Sequence, residues 1–136
     1  MNAQVEVGFE LPPLTVQVTR TSLVRYAGAS TDFNPIHYSD RAAAELGLEG
    51  VIAHGMLTMG MALRVVTDWI GDPARVRNYA VRFTKPVRVP DTAEGATVEF
   101  TGAVTKIVDG IATIGIGAVC DGTKVLGSAV AEVDIA

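Results

Sequence analysis

Apolar and polar residues alternate over Leu14-Thr15-Val16-Gln17-Val18, the period-two signature of a short strand with one buried face. The period then lengthens. Thr19 or Thr21 can cap a helix that carries Val24, Tyr26 and Ala27 and ends near Gly28. Ser39 can cap a second, short helix from Asp40 to Leu46, with Gly47 at the position a C′ glycine takes. His54 to Gly71 is apolar around most of a helical circumference, which predicts a helix buried on several sides. Gly71 and Pro73 end it.

Beyond Arg75 the pattern is that of strands. Tyr79, Val81 and Phe83 alternate with Ala80, Arg82 and Thr84. Val98, Phe100 and Val104 alternate with Glu99, Thr101 and Thr105. Asp109-Gly110 and Asp121-Gly122 are hairpin turn signals. They bracket Ile111 to Cys120, with Ile114, Ile116 and Ala118 on one face, and Lys124 to Ile135 reads as the last strand. Strands following a buried helix predict an α+β fold, a curved antiparallel sheet wrapped around a central apolar helix. No repeat, linker or low-complexity tract divides residues 1–136, so one domain is expected.

Composition agrees with a folded core: 136 residues, 49% hydrophobic and 19% charged. So little charge also points to apolar surface covered by self-association. A net charge of −4 argues against nucleic acid or an anionic membrane as partner. Gly55 to Val66, the longest strongly apolar run, is too short to span a bilayer and holds Arg64. The N-terminus lacks the basic and apolar regions of a signal peptide. A cytoplasmic protein is expected. Cys120 is the one cysteine and reads as a small core residue. Five basic residues and no acidic one fall between Arg75 and Arg88 (Arg75, Arg77, Arg82, Lys85, Arg88). They are either the solvent face of a strand or a docking patch for an acidic or phosphorylated carrier.

Two segments can carry chemistry. In Asp32-Phe33-Asn34-Pro35-Ile36-His37 an acid and a base stand five residues apart. On a continuous helix they would diverge by roughly 140°. Pro35 pushes Asn34 out of the helical region, so the segment is a turn that folds the two toward one point. Such a pair suits proton transfer, although a plain turn would look the same. The second segment is Ala53-His54-Gly55-Met56, where a glycine opens the apolar helix. The first N–H groups of a helix lack internal partners and carry positive partial charge, and glycine admits a substrate oxygen to them. That is the chemistry of an oxyanion hole. Alternatively, Gly55 only permits tight packing and His54 bonds a backbone carbonyl. No nucleophile elbow or phosphate-binding loop is present, and Gly115-x-Gly117 lies within a strand pattern. With two histidines and one cysteine, no closed zinc site is expected.

At these residues the sequence resembles the MaoC-like (R)-specific hydratase/dehydratase family of the hot-dog fold. Tyr26 to His37 is similar to its hydratase signature, with Thr31 where the family usually has glycine. Ala53-His54-Gly55-Met56-Leu57 resembles its second signature, and Phe83-Thr84-Lys85-Pro86-Val87 the strand after the central helix. Within the family, Ile52 to Gly60 and Trp69-Ile70-Gly71-Asp72-Pro73 resemble the catalytic β subunits of actinobacterial (3R)-hydroxyacyl-acyl carrier protein dehydratases. The resemblance implies reversible dehydration of (3R)-hydroxyacyl thioesters to trans-2-enoyl thioesters in type II fatty-acid or mycolic-acid elongation. It implies Asp32 and His37 as the acid–base pair, the Gly55 N–H as oxyanion donor, and no cofactor. Asn34 is then support for the turn and His54 structural. Arg77, Arg82 and Lys85 become candidates for contact with the acyl carrier protein or with CoA. A dimer with itself or with a related hot-dog subunit is implied. A stand-alone (R)-enoyl-CoA hydratase, a thioesterase of the same fold and a non-catalytic acyl-binding partner subunit are the alternatives.

Overall fold

The computed structural model describes residues 4–136. The chain runs β1 (Leu14–Val18), α1 (Arg20–Ser30), α2 (Asp40–Glu45), α3 (Gly55–Ile70), β2 (Val76–Phe83), β3 (Ala96–Val108), β4 (Ile111–Cys120), β5 (Thr123–Lys124) and β6 (Leu126–Asp134). The strands form one antiparallel sheet in the order β1-β3-β4-β6-β2, with the short β5 paired to β4. It is the α+β architecture expected, with α3 laid against the sheet.

Both hairpin signals are turns. Asp109 and Gly110 have φ of 50° and 77°, and Asp121 and Gly122 have 50° and 73°. Positive φ at both central residues matches the right-handed twist of the flanking strands. Alternation in β3 buries Val98, Phe100 and Val104, and β4 buries Ala112, Ile114, Ile116 and Ala118. Against them α3 packs Ala62, Val65 and Val66. Phe100 is fully buried at the centre of this layer. Truncating such a ring to alanine typically costs about 3–5 kcal/mol.

Three details differ from the sequence reading. Helix α1, capped by Thr19, one of its two candidates, through hydrogen bonds exchanged with Ser22, passes Gly28 to end at Ser30. Glycine 28 sits in open space and costs the helix too little to stop it. The last strand is interrupted at Val125, whose N–H bonds Ala118 on β4 while its carbonyl accepts from Thr84. The chain changes partner there. Finally, α3 has one open face: Met56, Gly60, Arg64 and Asp68, spaced by four, are exposed. The sheet covers a single side of the helix, and the apolar Met56 and Gly60 hid the open side from the periodicity. Among the described residues no helix is long and apolar enough to cross a membrane.

Candidate active site

The site forms where the α1–α2 connection meets the start of α3. Thr31 caps the C-terminus of helix α1 at φ 62°, its N–H bonding the Ala27 carbonyl. That left-handed turn aims the following residue away from the helix axis. Asp32 comes next. Its Oδ1 accepts the Asn34 N–H at 3.1 Å, and the Asn34 side chain accepts the Ile36 N–H at 3.2 Å, opening a 3₁₀ turn over Pro35–His37. Thus Asn34 supports the turn with both its backbone and its side chain. Asp32 Oδ2 then lies 3.9 Å from His37 Nε2.

The segment just ahead of α3, residues 51–53, fixes the other side of the His37 ring. Val51 and Ala53 pair with Val87 and Val89 through backbone hydrogen bonds of 2.8–2.9 Å. Asp40 pins this segment by accepting the Val51 N–H at 3.0 Å, and Arg20 holds Asp40 at 2.9 Å. The hydrogen bond from Val51 is the largest cause keeping the Asp40 carboxyl below its ordinary pKa. Ile52 lies between, donating to the Ile36 carbonyl and presenting its own carbonyl 2.7 Å from His37 Nδ1. A carbonyl only accepts, so Nδ1 is the donor. In the neutral ring Nε2 is therefore an unprotonated acceptor.

His54 is the N-cap residue of α3 and is 1% exposed. Its Nε2 donates to the Asp32 carbonyl at 3.1 Å, the carbonyl bond anticipated from sequence. Its ring stacks on His37 with centroids 3.8 Å apart, and Tyr26 meets it edge-on at 4.8 Å. Its Nδ1 has no partner among the described residues. Burial is the main cause lowering the His54 pKa, the Asp32 carbonyl acts the other way, and His37 adds to the lowering. Asp32, His37 and His54 bring one ligand-type atom each within 4.8 Å. The rings stack with only 23° between their planes, and His54 Nε2 carries the proton it gives to the Asp32 carbonyl. A metal needs unprotonated ligand atoms that converge on it. The arrangement suits proton transfer better than chelation.

A cavity of about 290 Å³ opens beside His37, lined also by Gly55, Thr58, Phe83, Lys85 and Val125 among others. No hydrogen bond satisfies the Gly55 N–H within the described residues, as its place at a helix N-terminus predicts. A Cβ on Gly55 would come within 3.2 Å of the Phe83 ring, a close contact that the half-exposed ring would have to relieve by shifting. Thr58, one turn later, is 4% exposed and lines the same cavity. Sequence reasoning passed over it because a threonine in an apolar helix carries no signal. It also missed Ile52, whose contribution is a backbone carbonyl.

The basic run separates into parts. Arg77 pairs with Asp134 at 2.6 Å and Arg75 bonds the Asp134 and Ala136 carbonyls. Both stand at the start of β2. Arg82 is exposed on β2 opposite Gly127. Lys85, past the end of β2, lines the cavity and also a neighbouring one of about 540 Å³ that reaches Arg88. The structure does not bring Arg77 together with Lys85. Arg77 is the second residue of β2 and Lys85 lies beyond its end, so the rest of the strand, roughly 20 Å, lies between them.

Comparison with known proteins gives this geometry its family. The chain matches the family described as MaoC like domain over residues 4–119, and it belongs to that family. It is 32% identical over 108 residues to the 3-oxo-4,17-pregnadiene-20-carboxyl-CoA hydratase beta subunit of Mycobacterium tuberculosis, covering 79% of this chain and 80% of that one. It is 34% identical over 94 residues to the (R)-specific enoyl-CoA hydratase of Rhodospirillum rubrum, covering 68% and 65%. With 3-hydroxyacyl-thioester dehydratase X of M. tuberculosis it shares 41% over 86 residues, 62% of this chain but only 30% of that protein. Among solved structures a MaoC-like dehydratase superimposes with a TM-score of 0.93 at 40% identity, over 97% of this chain and 41% of the other. The ChsH1-ChsH2 complex from M. tuberculosis gives 0.84 at 25% identity, over 98% and 100%. The hot-dog fold expected from the resemblance is the fold of these neighbours. Against some relatives, then, the chain spans less than half of their length.

Proposed function

We propose that this chain catalyses the reversible dehydration of (3R)-hydroxyacyl thioesters to trans-2-enoyl thioesters. One observation carries the reading. The tautomer set by the Ile52 carbonyl leaves His37 Nε2 free to accept a proton beside Asp32, at a cavity that also holds the Gly55 N–H. In that cavity the thioester oxygen accepts from the Gly55 N–H, and the enolate charge that builds there is worth roughly 3 kcal/mol of stabilisation per donor. His37 Nε2 takes the proton from C2. The imidazolium, with the Asp32 carboxylate beside it, gives that proton to the departing C3 hydroxyl, which leaves as water. The ring returns neutral, and hydration runs the same steps backwards. Positioned proton transfer of this kind contributes typically 10²–10⁴-fold.

The thioester arrives on an acyl carrier protein or on CoA. Lys85, exposed and lining the cavity, is a cation placed to meet either. CoA is the second reading because two relatives at 32% and 34% identity are named for CoA thioesters. The β2 edge supports a dimer with itself or with a related hot-dog subunit. Among the described residues it pairs only with β6, and Phe83 and Val130 are exposed near it. The names of the ChsH1-ChsH2 complex and of the hydratase beta subunit support a two-subunit arrangement.

The test is a hydration assay on short- and long-chain trans-2-enoyl-CoA, run with this chain alone and with a candidate hot-dog partner. A (3R)-3-hydroxyacyl product without release of free CoA is expected. Release of CoA would instead indicate a thioesterase, and no turnover in either arrangement would contradict the proposal.

A further inference from the structure

We propose that His54 is a positioning residue that holds the acid, the base and the oxyanion donor in one frame. The inference rests on the dehydratase reading and adds a role to a residue that touches no substrate. Three contacts support it. The His54 Nε2–H ties down the Asp32 carbonyl at 3.1 Å, so the backbone carrying the acid cannot drift from the pair. The ring face packs on His37 at 3.8 Å and closes one side of the imidazole that bonds the Ile52 carbonyl. As N-cap residue, His54 also delivers the next N–H, that of Gly55, to the cavity. One rigid side chain therefore links elements that come from the α1–α2 turn and from α3.

A core ring of ordinary purpose would be apolar. This one retains a buried nitrogen, Nδ1, that no group among the described residues satisfies, and burying such an atom carries a cost. The Nε2–H hydrogen bond is what the imidazole provides in return. The titratable groups facing it are Tyr26 from α1 and Asp32 and His37 from the turn. A second cation stacked on His37 would repel the imidazolium that the reaction forms. A neutral His54 with its proton on Nε2 is therefore the working state, and burial favours it.

The experiment compares His54→Phe, His54→Gln and the wild-type chain in the hydration assay, with the folded fraction of each measured by circular dichroism. Phenylalanine keeps the stack and loses the donor; glutamine keeps a donor near Nε2 and loses the stack. A misplacement of about 1 Å in an active site costs roughly 10²-fold. The expected result is a fall of that order in kcat for folded His54→Phe with little change in KM, and recovery of most of it by His54→Gln. Folded His54→Phe with wild-type kcat would overturn the proposal. So would equal losses in both variants. If His54→Phe does not fold, ¹⁵N spectra of the wild-type imidazoles decide. At pH 6.5, where a free imidazole is half protonated, a neutral Nε2–H ring is expected. A protonated or Nδ1–H ring would overturn it. Absence of hydratase activity in the wild-type chain would overturn the dehydratase reading itself, a distinguishable outcome.

Discussion

The Nδ1 atom of His37 donates to the carbonyl oxygen of Ile52 at 2.7 Å, fifteen residues along the chain. This bond makes Nε2 the free nitrogen and turns it toward Asp32 and the cavity. The anchor is as secure as the segment that carries Ile52, and that segment hangs on Asp40. Asp40→Asn keeps an acceptor oxygen but loses the ion pair with Arg20. It is expected to lower kcat severalfold with the fold intact, as read by steady-state kinetics. Unchanged kcat would detach the 51–53 segment from the chemistry.

Thr31 occupies the left-handed region at φ 62°, where a β-branched residue is strained. Its side chain makes no hydrogen bond that would offset this among the described residues. Thr31→Gly relieves about 1–2 kcal/mol of backbone strain and adds unfolded-state entropy worth up to about 1 kcal/mol. A net stabilisation of about 0.5–1 kcal/mol is expected in urea denaturation. A loss of stability would show that the threonine has a partner in the working assembly.

Lys85 and Arg77 separate the two readings of the basic run. Lys85→Ala is expected to raise KM for the carrier-borne substrate severalfold with kcat little changed. Arg77→Ala, whose guanidinium is occupied by Asp134, is expected to leave KM alone. A KM effect from Arg77 would restore a continuous patch along β2.

Two groups make stability depend on pH in opposite directions. Burial pushes the Tyr79 pKa up to about 12, above the ordinary phenol value of 10. Its hydroxyl donates to the Met59 carbonyl at 2.6 Å. The folded state therefore holds this proton longer than the unfolded one. The contribution is complete below pH 10 and is lost as pH rises toward 12. The Tm of Tyr79→Phe should lie below wild type at pH 8 and approach it over that range. The His54 pKa is lowered in the fold, so the unfolded chain takes up a proton first as pH falls below 6.5. Wild type should lose stability there, and His54→Gln should lose less.

Much of this was legible in the chain. Asn34-Pro35 announced a turn that folds Asp32 toward His37, because proline and asparagine act on their own backbone within a few residues. Gly55 marked the helix start by the same local logic. The Ile52 carbonyl was invisible, since every residue has one and only the pairing of 51–53 with 87–89 selects it. The basic run gave no sign of how its members divide: Arg77 is engaged by Asp134 at the start of β2, and Lys85 stands at the cavity past its end. The open face of α3 escaped because Met56 and Gly60, though exposed, carry no charge to announce it.

The central claim is that His37 Nε2, set beside Asp32, moves the proton between C2 and the C3 hydroxyl. It is tested most directly by the rate of trans-2-enoyl thioester hydration in His37→Ala and Asp32→Asn, each verified as folded. Asparagine preserves the shape of the turn and removes the charge. A fall of roughly 10²–10⁴-fold in kcat in both variants is predicted. Near-full activity in His37→Ala, or unchanged turnover in Asp32→Asn, would contradict it.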